Sequence, residues 1–254
     1  MNMNQSEMII RETSSQAALA AADLFAKTAR ECVSHEGFFT VAVSGGSTPR
    51  PMHRFLAEEP YRSEVPWSKT HLFWVDERCV SFEDPASNYG LARKDFLDQV
   101  PIPQNQVYPI PIEASPKEGA EIYQRVLIDF FHLQKGESPV FDLIFLGTGK
   151  DGHTASLFQG QKALGEMERL VVCVKGGAPN VSRITMTFPV LNHAKRIISM
   201  VSGKNKADIV KTILECPEAR LPAQRIQPLN GPLTWLLDCE SASRLSKERS
   251  HGEY

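Results

Sequence analysis

Apolar residues along this 254-residue chain gather in short runs separated by stretches of helical spacing. The runs are FFTVAV (38–43), THLFWV (70–75), VFDLIFLG (140–147), ERLVVCVK (168–175), RITMT (183–187) and RIISMVS (196–202). Their length, and the lack of strict alternation with polar residues, predict strands covered on both faces. Over 15–34 the positions Leu19, Ala22, Ala26, Ala29 and Val33 form one helical stripe, with Ser14 and Ser15 as candidate caps. Further helices are predicted from residue 49, over 88–100, over 118–133 and from Lys204 to Glu215, while the Pro-rich stretch 101–116 reads as irregular. The residues before 38 read as one strand and one helix, and the polar end from Ser243 as a frayed tail. With no repeat and no low-complexity tract, residues 1–254 are expected to form a single domain.

Strands alternating with helices at this spacing predict an α/β fold with a mainly parallel sheet. In such sheets ligands bind beyond the carboxyl ends of the strands. Three of those ends carry polar and Gly-rich residues: SGGSTPR after the first run, DER after the second and GTGKDGHT after the third. Three such ends point to one site.

Composition narrows the classes. A chain that is 42% hydrophobic and 23% charged is ordinary for a globular protein and unlike a disordered one. A formal net charge of −2 with no dense Lys/Arg block gives no footprint for nucleic acid. No apolar stretch approaches the ~18 residues of a membrane span, and MNMNQSEMIIRE lacks the pattern of a secretory signal, so a cytoplasmic location is expected. The five cysteines, Cys32, Cys79, Cys173, Cys216 and Cys239, are scattered, which predicts mostly buried thiols rather than disulfides or a zinc site. No His/Cys/Asp cluster has metal-ligand spacing and no cofactor motif is present, so neither a metal nor a cofactor is expected. The implied partner is a small molecule, and the sequence names no oligomeric partner.

In SGGSTPR, Thr48 is a candidate N-cap and Pro49 fits a first helical position. The turn Ser44, Gly45, Gly46, Ser47 would then aim N–H groups at a phosphate. An ordinary glycine turn fits the same residues, and the segment is neither a Walker A loop nor GxGxxG. In WVDERC, Asp76 could cap the next segment and Arg78 could be a solvated charge. Facing a cleft, Arg78 would match a carboxylate, phosphate or oxyanion. His153, in the Gly-rich loop after a buried strand, is the candidate acid/base, with Asp151 or Asp76 as the acid that orients it. Arg183 and Lys206 each fit a surface charge when taken alone, and together they add cations that a sugar phosphate of about −2 charge requires. No GxSxG elbow occurs, which argues against a serine hydrolase.

Taken in order, VAVSGGSTP, WVDERCV, DPASNYG, GTGKDGHTASLF, SRITMT, SGKNKA and GPLTWLLD resemble the 6-phosphogluconolactonase family over residues 38–240. The resemblance implies a three-layer α/β/α sandwich with a modified Rossmann-like sheet, as in glucosamine-6-phosphate deaminases and ribose-5-phosphate isomerases. It implies hydrolysis of 6-phospho-D-glucono-1,5-lactone in the oxidative pentose phosphate pathway, with His153 as general base and Arg78 contacting substrate. Ser44 to Ser47, Arg183 and Lys206 are implied to hold the phosphate. The chain departs from the family pattern at Thr148, at Lys150, where Pro is usual, and at Gln159. The alternatives are an aminosugar-phosphate deaminase or isomerase and a non-catalytic sugar-phosphate sensor. The first is disfavoured because DGHTASLFQG carries no acid after Asp151, the second because barely 37 residues precede the first core strand.

Overall fold

The computed structural model describes residues 6–246. Among the described residues, ten strands and eight α-helices follow in the order β1 (Ser6–Arg11), α1 (Ser14–Glu36), β2 (Phe39–Val43), α2 (Arg50–Leu56), α3 (Tyr61–Glu64), β3 (Thr70–Trp74), β4 (Asp76–Arg78), α4 (Asn88–Ala92), β5 (Val107–Tyr108), α5 (Pro116–Phe131), β6 (Leu143–Gly147), β7 (Val171–Gly176), β8 (Val181–Met186), α6 (Phe188–Asn192), β9 (Ile197–Val201), α7 (Ala207–Glu215), β10 (Leu233–Asp238) and α8 (Cys239–Ala242). Seven strands form one sheet in the order β1-β10-β9-β6-β2-β3-β5, and every pairing in it is parallel.

Side-chain alternation separates the layers. Phe39 and Phe145 share one face of the sheet and meet Phe25 of α1, with ring centroids 5.4 and 6.2 Å away. Phe73 points to the other face and meets Phe130 and Phe131 of α5. Helices therefore cover both faces, as the three-layer expectation requires. α1 closes over β1, β2 and β10 with an alanine-rich face that lets the backbone approach closely. Tyr123 ties α5 to β3, its hydroxyl accepting from the Trp74 amide and donating to the Trp74 carbonyl, each at 3.0 Å.

Several sequence expectations shift. The cap of α1 is Thr13, not Ser14 or Ser15: its hydroxyl accepts from the Gln16 amide at 3.2 Å and the Gln16 side chain accepts from the Thr13 amide. The runs 168–175 and 183–187 lie outside the parallel sheet. They are β7 and β8, an antiparallel pair that joins the short β4 in a three-stranded sheet. The segment between them is too short for the crossover a parallel pair requires. The region 88–100 starts as α4 and widens into a π-helical turn over Arg93–Leu97, and the Pro-rich stretch contributes edge strand β5. None of the five free cysteines is buried: Cys32, Cys79 and Cys216 are half-buried, and Cys173 and Cys239 are exposed. At the expected frayed end, Arg244 pairs with Asp208 at 2.7 Å and the Ser246 amide donates to Glu215. The rest of that tail lies outside the described residues. Among the described residues no helix is long and apolar enough to cross a membrane.

Candidate active site

The chain continues from β2 to β3 and β5 on one side of the sheet, and from β6 to β9 and β10 on the other. The crevice beyond the carboxyl ends of β2 and β6 is therefore the topological switch point, where open α/β sheets bind ligands. A cleft of about 480 Å³ lies there, lined by all ten residues singled out from the sequence: Ser44 to Ser47, Asp76, Arg78, Asp151, His153, Arg183 and Lys206.

The turn after β2 is fixed from below. Ser44 donates both its amide and its hydroxyl to the Phe145 carbonyl, at 3.1 and 3.0 Å, so its side chain binds β6. Gly45 lies so close to Asn88 that a Cβ would fall 1.8 Å from its Oδ1, and Gly46 has φ +91°. One glycine permits close approach and the other a left-handed backbone. Helix α2 starts one residue later than expected, at Arg50, with Pro49 before it and no capping bond from Thr48. Arg50 then anchors the helix through a two-pronged ion pair with Asp95, at 2.7 and 3.0 Å.

Asp76 and Glu77 are both buried. Asp76 accepts from Ser156 Oγ at 2.6 Å and from Asn88 Nδ2 at 3.3 Å, and its carbonyl accepts from Asn88 Nδ2 at 2.8 Å. It thus links the strand end to the loop that follows His153 and, through Asn88, to the Gly45 turn. Glu77 accepts from the amides of Arg78, Asn88 and Tyr89 and from the Ser87 hydroxyl, and so caps α4. Burial still holds its carboxyl above the ordinary range despite those four donors.

His153 sits in a tight loop closed by Gly149 N donating to the His153 carbonyl and Gly152 N donating to the Gly149 carbonyl. Its Nδ1 lies 2.5 Å from Asp151 Oδ1, and its ring packs on Phe158 with centroids 4.6 Å apart. Of the two acids left open by the sequence, Asp151 meets the imidazole, while Asp76 bonds to Ser156 and Asn88 instead. Burial, the largest influence, pushes the Asp151 carboxyl up, but the side-chain bond to His153, the His153 charge and backbone N–H bonds together hold the group below its ordinary value. Gly149 makes the pairing possible, since a Cβ there would fall 2.1 Å from His153 Nδ1 and 2.5 Å from Asp151 Oδ1.

Three cations complete the walls. Arg183 is buried, donates to the Gly176 and Pro179 carbonyls at 2.8 and 3.1 Å, and lies over the Phe158 ring. Burial, then repulsion from Arg78, holds its guanidinium below the ordinary value, with Asp76 and Glu77 opposing. Arg78 donates to the Ala86 carbonyl at 2.6 Å, leaving its buried Nε without a partner. Lys206 donates to the Thr148 carbonyl at 2.6 Å, and burial followed by the Lys150 charge lowers its pKa. Among the described residues, none of these three forms an ion pair with a carboxylate. One buried and two half-buried cations whose donors go to backbone carbonyls rather than to carboxylates suit an incoming anion.

Sequence reasoning did not single out Asn88, Ser156 or Gly149. They lie in DPASNYG and GTGKDGHTASLF, but only tertiary contact assigns their jobs.

The family model described as Glucosamine-6-phosphate isomerases/6-phosphogluconolactonase matches residues 12–235. A 6-phosphogluconolactonase of Synechocystis sp. is 42% identical over 220 residues, covering 85% of this chain and 88% of the relative. A 6-phosphogluconolactonase of Rattus norvegicus is 40% identical over 227 residues, covering 88% of this chain and 87% of its own length. The solved structure of 6-phosphogluconolactonase from Trypanosoma cruzi superposes with a TM-score of 0.86 at 28% identity, covering 95% of this chain and 97% of that one. The switch-point cleft thus lies in a chain that belongs to the glucosamine-6-phosphate isomerase/6-phosphogluconolactonase family.

Proposed function

We propose that the protein hydrolyses 6-phospho-D-glucono-1,5-lactone to 6-phosphogluconate, with His153 as the general base. The observation that carries this reading is the His153–Asp151 pair in one cleft with three cations that lack carboxylate partners. Relatives about 40% identical that bear the name 6-phosphogluconolactonase support the choice of substrate.

Held below its ordinary pKa, Asp151 is an ionised acceptor for the Nδ1 proton of His153, so the neutral imidazole is the tautomer that presents its Nε2 lone pair to water. The substrate phosphate sits on the Gly45–Gly46 turn with Arg183 and Lys206, leaving the lactone carbonyl beside His153. Water attacks the carbonyl carbon as Nε2 takes its proton. The resulting oxyanion is met by Arg78, and one such donor contributes typically ~3–4 kcal/mol. When the tetrahedral intermediate opens, the imidazolium returns its proton to the ring oxygen as the C1–O bond breaks, leaving a hydroxyl and a carboxylic acid that ionises by releasing its proton to solvent. General acid–base work of this kind contributes ~10²–10⁴-fold. The lactone is itself electrophilic, so no covalent nucleophile is required.

The test supplies freshly generated lactone and, separately, glucosamine 6-phosphate. Opening of the lactone faster than its spontaneous rate, with no ammonia released from the aminosugar, is the expected result. Ammonia release without lactone opening would replace this reading with a deaminase.

A further inference from the structure

We propose that Lys150 is a specificity-determining residue: its ammonium joins Lys206 around the substrate phosphate and selects phosphorylated over unphosphorylated lactones. The proposal deepens the reading above and rests on it for the identity of the substrate.

Lys150 stands at the tip of the loop between Gly149 and Asp151 and lines the cleft. The Thr148–Thr154 bridge and the turn bonds of Gly149 and Gly152 fix the backbone beneath it. Its side chain is exposed and, among the described residues, makes no hydrogen bond or ion pair. That sets it apart from the other cations of the cleft, since Arg78, Arg183 and Lys206 each spend donors on backbone carbonyls. Lys206 is pinned to the Thr148 carbonyl, two residues before Lys150, so the two ammonium groups share one wall. The neighbouring carboxylate, Asp151, is engaged by His153.

Two like charges gathered at one wall repel, and the repulsion is felt at Lys206, whose pKa the Lys150 charge lowers after burial has done so. A dianion placed between them removes that repulsion and gains two charge-assisted contacts. An uncharged hydroxymethyl group, which the unphosphorylated lactone carries at the same carbon, gains neither. Lys150 is long and free to swing, so it can follow the phosphate as it enters and also raise the rate of capture electrostatically.

The experiment compares the full-length wild type with Lys150→Met and Lys150→Arg. The readout is the ratio of kcat/KM for 6-phosphogluconolactone to that for glucono-1,5-lactone. For a partly exposed charge contact, the ratio is expected to fall about three- to tenfold in Lys150→Met and to recover in Lys150→Arg. In parallel, inorganic phosphate is titrated by calorimetry. Its Kd is expected to rise by a similar factor in Lys150→Met, and its dependence on NaCl to be shallower than in wild type. A selectivity ratio and phosphate Kd both within twofold of wild type in Lys150→Met would overturn the proposal. Should wild type open neither lactone faster than buffer, the lactonase reading fails. The phosphate titration then decides Lys150 alone: a weakened Kd upholds it, and an unchanged one removes it.

Discussion

Gly149→Ala isolates the His153–Asp151 pair from the rest of the fold. The new Cβ would fall 2.1 Å from His153 Nδ1, 2.2 Å from its Cε1 and 2.5 Å from Asp151 Oδ1. To reach ordinary contact at 3.4 Å, the ring must retreat by about 1.3 Å. Gly149 does not need a left-handed backbone, because its φ is not among the positive values, so alanine brings no backbone strain. The atoms that must move are side-chain ends in a loop at the cleft, so Tm should stay within about 4 °C of wild type. Catalysis is less forgiving. A displacement of ~1 Å in a catalytic geometry costs on the order of 10²-fold, and complete loss of the base would cost up to ~10⁴-fold. The expected fall in kcat/KM is therefore ~10²-fold, about 2.7 kcal/mol of transition-state stabilisation. The assay follows consumption of fresh lactone by coupling its product to a dehydrogenase, with the spontaneous rate subtracted. Gly165→Ala, whose added Cβ would meet nothing within 4 Å, is the control and should match wild type. A Gly149→Ala enzyme with wild-type kcat/KM would refute the idea that the imidazole acts from this position.

Two further outcomes follow from buried charge. His53 is fully buried against Phe96 with both ring nitrogens unpartnered, and burial chiefly, with Arg50 adding and Asp95 opposing, pushes its pKa down to about 4. Its folded value lies below the unfolded 6.5, so the stability it confers is complete above pH 6.5 and is lost as pH falls towards 4, by about 3 kcal/mol. His53→Phe should flatten urea-unfolding stability over that window; an unchanged slope would assign the loss to other groups. Arg183→Met should lower kcat/KM for the phosphorylated lactone at least about tenfold while leaving Tm at or above wild type. Its guanidinium is held down by burial and by Arg78 and has no carboxylate partner, so the charge serves the ligand rather than the fold. A variant with lower Tm and unaltered kcat/KM would reverse that assignment.

What could be read from the sequence was what apolar runs and loop chemistry encode locally. FFTVAV, THLFWV, VFDLIFLG and RIISMVS became central strands because continuous apolar runs fit a sheet covered on both faces. ERLVVCVK and RITMT carry the same signal, yet they form an antiparallel pair, because run composition does not report the direction of the next strand. β4 escaped notice since Asp76, Glu77 and Arg78 are polar, and the burial of the two acids depends on partners far along the chain. Ser156, which bonds Asp76, is 80 residues away. The Asp151–His153 pairing, two residues apart, was within reach of local reading, whereas the exclusion of Asp76 from that pairing required the tertiary structure. The scattered cysteines implied burial by residue type alone, and the fold left them half-buried or exposed.

The central claim is that His153 activates water against a phosphorylated lactone, and His153→Ala tests it most directly. The measurement is the initial rate of lactone opening, corrected for the spontaneous reaction, together with the Kd for 6-phosphogluconate. The account predicts a rate lowered ~10²–10⁴-fold with product binding within a few-fold of wild type, because Arg183, Lys206 and the glycine turn remain. A variant that retains the wild-type rate would contradict it.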